Sequence, residues 1–205
     1  MEDRKQHWEE VYDKKKLTEV SWYQPIPETS LDFIEGFRLQ KDAKIIDVGG
    51  GDSFLVDHLL ERGYTNITVL DISAKAIERA KQRLGEKAGK VTWIVSDAAE
   101  FQPEEQYDVW HDRAAFHFLT EEPKIESYLE NLKKGVKPGG YVVLGTFSEK
   151  GPEKCSGLFI HQYSKEEMSG LFREGFKMLK CINVDHKTPS EKIQNFTFCS
   201  FRKEE

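Results

Sequence analysis

Asp47-Val48-Gly49-Gly50-Gly51-Asp52-Ser53 is the stretch on which the fold turns. It overlaps the end of an apolar run, Lys44-Ile45-Ile46-Asp47-Val48, that reads as a buried strand. It opens a segment from Ser53 to Arg62 that reads as a helix with Phe54, Val56, Leu59 and Leu60 on one side. Small residues between a strand and a helix let backbone N–H groups approach a ligand at the crevice of an open α/β sheet. A glycine-rich turn alone also serves simply to reverse the chain. The elements that follow bear on which reading holds.

Gly63 closes the helix, and Ile67-Thr68-Val69-Leu70 reads as a second strand. Ser73 is then an N-cap for a helix carrying Ala76, Ile77, Ala80 and Leu84 at three- and four-residue spacing. A third strand is expected over Val91 to Val95 and a fourth over Tyr107 to His111. A helix is expected over Pro123 to Lys134, with Ile125, Tyr128, Leu129 and Leu132 as its stripe, and a fifth strand over Tyr141 to Phe147 after Pro138-Gly139-Gly140. Five strands separated by helices predict a parallel sheet with right-handed crossovers and helices on both faces, a doubly wound α/β fold. Beyond Phe147 come a Gly/Pro/Cys loop, a capping box at Ser164 to Glu167 opening a short helix, and two strands, Phe176 to Val184 and Asn195 to Arg202, expected to pair antiparallel.

The second strand ends in Asp71, 24 residues after Asp47, where a carboxylate can accept hydrogen bonds from both ribose hydroxyls. Asp97 follows the third strand in Ser96-Asp97-Ala98, where it can receive an adenine amine. Acidic strand ends at 47, 71 and 97 together describe an adenosine pocket. The dinucleotide fingerprint prefers glycine where Phe54 stands, which disfavours a nicotinamide cofactor.

On these residues the chain resembles the class I S-adenosylmethionine-dependent methyltransferases over roughly residues 44–147. Asp47-Val48-Gly49-Gly50-Gly51 is similar to that family's first motif, Leu70-Asp71-Ile72-Ser73 to its ribose motif, Ser96-Asp97-Ala98 to its adenine motif, and Lys137-Pro138-Gly139-Gly140 to the turn before its fifth strand. The resemblance implies a seven-stranded sheet in order 3-2-1-4-5-7-6 with the seventh strand antiparallel, S-adenosyl-L-methionine as cofactor and S-adenosyl-L-homocysteine as product. It implies cofactor contacts from Trp22, Asp47, Gly49, Gly50, Gly51, Ser53, Asp71, Ile72, Asp97, Ala98 and His111, and no metal. Ser53 stands where the family usually has a third small residue. The chemistry implied is direct displacement at the sulfonium methyl, for which the protein aligns the reactants, excludes water and takes a proton from a protonated acceptor.

The acceptor is less legible. His111 and His117 read either as bases near neutral pH or as an ordering and a packing histidine. His111 and Asp112 are expected to touch the methionine part of the cofactor or the acceptor. Arg113 suits a carboxylate, with an ion pair to Asp112 or another acid as the default. Trp22 and Tyr23 read as ligand contacts in a proline-flanked entrance; Trp8 and Tyr12 read either as part of a lid over the sulfonium or, by default, as ordinary helix packing. Cys155, Ser156, His161, Gln162 and Tyr163 fall where this fold inserts an acceptor loop, and Cys155 lacks the paired histidine of a nucleophile. A small-molecule acceptor is expected. A protein-lysine methyltransferase and a methyltransferase-like binding subunit without turnover are the alternatives. Asn-Pro-Pro-Tyr and Asp-Pro-Pro-Tyr are both missing after strand four, which argues against an adenine or amide nitrogen.

The remaining composition bounds these readings. The chain of 205 residues fits one domain, with 1–40 as an N-terminal cap, 41–147 as cofactor core and 148–205 as acceptor loop, helix and strand pair. Its 36 acidic against 30 basic residues disfavour nucleic acid as the main partner. Cys155, Cys181 and Cys199 lack zinc or disulfide-framework spacing and read as reduced thiols. With no apolar leader or long apolar run, a cytoplasmic protein without membrane contact is expected.

Overall fold

Strand alternation divides the core in two. The structure, a computed structural model, describes residues 2–204. β1 (Lys44–Val48), β2 (Asn66–Asp71) and β4 (Tyr107–Arg113) place Ile45, Val69 and Val109 on one face, and Ile46, Leu70 and Trp110 on the other. Successive residues of a strand point to opposite sides, so continuous apolar runs supply two cores at once. One core closes with Leu31 and Ile34 of α2 (Glu28–Gly36) and with Leu55, Val56 and Leu59 of α3 (Leu55–Glu61). The other closes with Ile125, Tyr128 and Leu132 of α5 (Glu122–Gly135) and Met168 of α6 (Lys165–Leu171).

With β3 (Val91–Val95), β5 (Val136–Phe147), β8 (Phe176–Lys187) and β9 (Ile193–Lys203), the strands form one seven-stranded sheet in order β3-β2-β1-β4-β5-β9-β8. The five strands from β3 to β5 run parallel to their neighbours, and β9 pairs antiparallel with both β5 and β8. This is the order 3-2-1-4-5-7-6 expected for the sheet. α4 (Ala74–Leu84) carries Ser73 as its N-cap, and the Ser164–Glu167 capping box opens α6, both as the sequence indicated.

Four boundaries differ. α3 begins at Leu55, because Ser53 instead bends the loop with its Oγ accepting the Leu55 N–H. β5 begins at Val136, and Pro138-Gly139-Gly140 lie in an irregularity between the Tyr107–Val136 and Val109–Tyr141 pairs, which spares Pro138 a ladder role it cannot fill. The apolar helix over 114–119 is a single 3-10 turn, Phe116–Phe118. In the final hairpin the polar residues Asp185, His186 and Lys187 pair with Asn195, Gln194 and Ile193, so pairing runs further than an apolar pattern reveals. The same register sets Cys181 opposite Cys199, and the two are joined as a disulfide where free thiols were expected. Cys155 remains a buried free thiol. Among the described residues no helix is long and apolar enough to cross a membrane.

Candidate active site

At the C-terminal ends of β1, β2 and β4 lies a pocket of about 1140 Å³, its open mouth included. The glycine loop forms its floor. Gly49 has φ +71°, and a Cβ there would lie 2.4 Å from the Ala115 Cβ; Gly51 has φ +38°, and a Cβ there would meet the Asp71 carboxylate at 2.6 Å. Both positions therefore require glycine on conformational and steric grounds. Asp52 fixes the loop from behind through Arg79 (2.9 Å) and Arg83.

Asp71 lies at the pocket wall with Oδ1 accepting the Ser73 N–H at 2.8 Å. Burial pushes its carboxyl up to about 7, against the lowering effect of that N–H and with a further rise from the Asp47 charge. Hydroxyl groups donating to it would favour its charged form, as a ribose diol does. Asp97 accepts the Ala99 N–H at 3.0 Å and also pairs with Arg4 of α1 (Glu2–Lys14), a partner the sequence did not suggest. Trp22, Asp47, Gly49, Gly50, Ser53, Ile72, Ala98 and His111 line the same pocket, and Gly51 backs it.

His111 is buried, with Nδ1 2.7 Å from Asp47 Oδ1 and Nε2 2.9 Å from Ser30 Oγ. A carboxylate can only accept, which assigns the proton to Nδ1 and leaves Nε2 to accept from the Ser30 hydroxyl. Ser30, on α2, also reaches the pocket; it is the one polar residue among that helix's buried positions, and the sequence reading did not single it out.

Asp112 does not touch the pocket. It faces away, accepting the Tyr128 hydroxyl at 2.7 Å and the Ala115 and Phe116 N–H groups, so it orders the loop after β4. Burial raises its carboxyl to about 6. Strand alternation sends its neighbour Arg113 to the other side, so the default Asp112–Arg113 ion pair does not form.

His117 also lies outside the pocket, wholly buried, its Nδ1 accepting the Phe147 N–H at 3.2 Å. Burial and the nearby Arg113 charge lower it to about 3, so it is a neutral core group rather than a base in contact with substrate. His161 is exposed and stacks on Tyr163, whose buried ring packs on Phe116; neither lines the pocket. Tyr23, Arg113 and Cys155 do. Cys155 is held by a two-residue hairpin, β6 (Lys154–Cys155) to β7 (Leu158–Phe159), whose turn residues Ser156 and Gly157 both have positive φ. Burial pushes its thiol up to about 11, which disfavours a nucleophilic thiolate.

The N-terminal aromatics contribute more than packing. Trp8 and Tyr12 line the pocket, Trp8 meeting Trp22 edge-on at 5.6 Å and Phe118 at 5.0 Å. Glu9 holds α1 in place, accepting the Ala74 N–H at 2.7 Å and the Ser73 hydroxyl at 3.1 Å at the start of α4.

The model of a methyltransferase domain family matches residues 46–142. Malonyl-[acyl-carrier protein] O-methyltransferase 1 of Ilyobacter polytropus is 29% identical over 177 residues, 80% of this chain and 62% of that protein. EEF1A lysine methyltransferase 2 of Homo sapiens is 22% identical over 192 residues, 86% and 75% of the two chains. The first curated relatives are longer proteins, of which this chain spans 33–62%. Among solved structures, the N-methyltransferase NodS from Bradyrhizobium japonicum WM9, in complex with S-adenosyl-L-homocysteine, superposes with a TM-score of 0.70 at 16% identity, covering 96% of this chain and 98% of that one. In its motifs, its sheet order and the domain match over residues 46–142, the chain is similar to the class I methyltransferases. Its cofactor is S-adenosylmethionine, and the glycine floor and Asp71 fit its adenosine half.

Proposed function

We propose that this enzyme methylates a small molecule bound beyond the glycine floor, between Trp22, Tyr23, Arg113 and Cys155. The observation that carries this reading is the pocket's two-part lining: acids and glycines at one end, aromatics and one arginine at the other. Residues 1–40 and those beyond 147 supply much of the second end, through Trp22, Tyr23 and Cys155. Curated relatives named for malonyl-[acyl-carrier protein] methylation act on a small acid group carried on a protein.

The bound cofactor supplies an activated methyl group, and the chain's own residues align and deprotonate the acceptor. Asp71 and the glycine floor fix the adenosine half, with Asp97 close to its adenine end. Trp8, Tyr12 and Trp22 screen the site from water, and their ring faces suit a cationic sulfonium. Ser30 offers its oxygen to an acceptor proton, with His111 behind it and Asp47 to balance the charge.

Similarity over most of both chains to a lysine methyltransferase favours a protein acceptor as second reading. Incubation of the protein with methyl-labelled adenosylmethionine and cell extract, fractionated by size, separates the two. Label in the small-molecule fraction is expected; label confined to protein and recovered as methyl-lysine after acid hydrolysis establishes the second reading instead.

A further inference from the structure

Arg113 sits at the end of β4 with its guanidinium turned to the second end of the pocket. Its Nη1 donates to the Trp22 carbonyl at 3.2 Å, and its carbon lies 4.8 Å from the centre of the Phe196 ring. Nη2 is buried with no hydrogen-bond partner among the described residues. The other pocket-lining arginine, Arg4, is paired with Asp97. Arg113 forms no such pair, since Asp112 faces the opposite side and the nearby Asp47 accepts from His111.

Burying a guanidinium without an anion is costly, so proteins pair such groups or use them to bind ligands. Of the groups within its field, the Asp47 carboxylate is charged but bonded to His111, and the others carry no negative charge. Cys155 is held as a thiol, and His117 and His186 are both lowered by burial and by the Arg113 charge itself. His186 meanwhile lies 2.7 Å from the Ser21 carbonyl. Arg113 therefore stands among aromatic rings with the Asp47 charge nearby but engaged by His111, and among the described residues it forms no ion pair.

We infer that Arg113 binds a carboxylate of the methyl acceptor, so that the acceptor is an organic acid with an apolar body. This rests on the methyltransferase reading of the pocket. The fork of two N–H groups matches a carboxylate, while the walls of Trp22, Tyr23 and Phe118 suit apolar carbon. The cofactor's own α-carboxylate is the competing source of the same chemistry, and the experiment separates them.

Protein saturated with adenosylhomocysteine is titrated calorimetrically with phenylacetate and with its neutral isostere phenylacetamide. The acid is expected to bind at least about tenfold more tightly, with the preference reduced to about twofold or less in Arg113→Met and partly retained in Arg113→Lys. Adenosylhomocysteine itself is expected to bind Arg113→Met within about threefold of wild type. Equal binding of acid and amide by wild type, or an acid preference that survives in Arg113→Met, overturns the inference. So does a tenfold loss of adenosylhomocysteine affinity with no loss for 5′-methylthioadenosine, which lacks the amino-acid carboxylate, because Arg113 then serves the cofactor. Wild-type protein that fails to bind adenosylhomocysteine overturns the methyltransferase reading instead, and that arm stands apart from the acid and amide comparison.

Discussion

Asp71 carries two opposed demands at the scale of a single residue. Burial and the Asp47 charge push its carboxyl up to about 7, whereas a ribose diol is held best by a charged carboxylate. Adenosylhomocysteine should therefore bind the ionised form and release a proton on binding below about pH 7. Affinity should fall as pH drops from 7.5 to 6. Calorimetry at pH 6 in buffers of different ionisation enthalpy reads the proton directly. Asp71→Asn should abolish that release and weaken binding at pH 7.5 roughly 10- to 100-fold, the value of hydrogen bonds to a charged group. Proton release that persists in the variant would assign the titration elsewhere.

At the scale of elements, α1 is held by polar contacts to α4 rather than by a continuous apolar face. Glu9 reaches the first N–H groups of α4, Lys75 bonds Asp13 at 2.7 Å, and Arg79 donates to the Tyr12 and Lys15 carbonyls. A carboxylate at a helix start satisfies orphan donors and meets the positive end of the helix dipole. Glu9→Ala should loosen α1 as a unit. Faster hydrogen exchange over residues 4–14 and a several-fold weaker adenosylhomocysteine affinity are expected, with a loss of global stability of only about 1 kcal/mol. Unchanged exchange over α1 would show that Trp8 and Tyr12 alone hold it. This docking also marks the limit of what the sequence discloses. The core strands, the glycine loop, Asp71, Ser73 and the Ser164 capping box were legible because each depends on neighbours within a few residues or on a recurring spacing, whereas the strand order was legible only through the family resemblance those motifs carry. The Glu9 cap and the Arg4–Asp97 pair arise from contacts across more than 60 residues, and the spacing of Trp8 and Tyr12 left a lid and ordinary packing open until their place at the pocket was seen. Arg113 and Asp112 were misjoined for a related reason, since adjacency in a strand separates side chains onto opposite faces.

Across the whole molecule, the sheet separates a pocket at its strand ends from a core that holds titratable groups of its own. His117 lies in that core, lowered to about 3, and an unfolded histidine returns to about 6.5. Between those values the unfolded chain binds the proton, so His117 contributes stability that is complete above about pH 6.5 and lost as pH falls toward 3. Asp71 and Asp112 act in the opposite direction. Their raised values, about 7 and about 6, make the folded chain hold protons that the unfolded chain has released, so stability declines as pH rises from about 4 through that range. From these three groups the wild-type protein should lose stability as pH rises from about 4 to 6, two falling slopes against one rising, and level off between about 6 and 6.5 where one of each remains. His117→Asn keeps an acceptor for the Phe147 N–H but carries no titrating ring, and it removes one side of the balance. Urea denaturation at pH 7.5 and pH 5 should show the variant gaining about 2 kcal/mol relative to wild type at the lower pH, from roughly 1.5 pH units at about 1.4 kcal/mol each. A difference between the two proteins that stays constant over that interval would mean that His117 takes up its proton without unfolding, and would return it to the candidates for proton transfer.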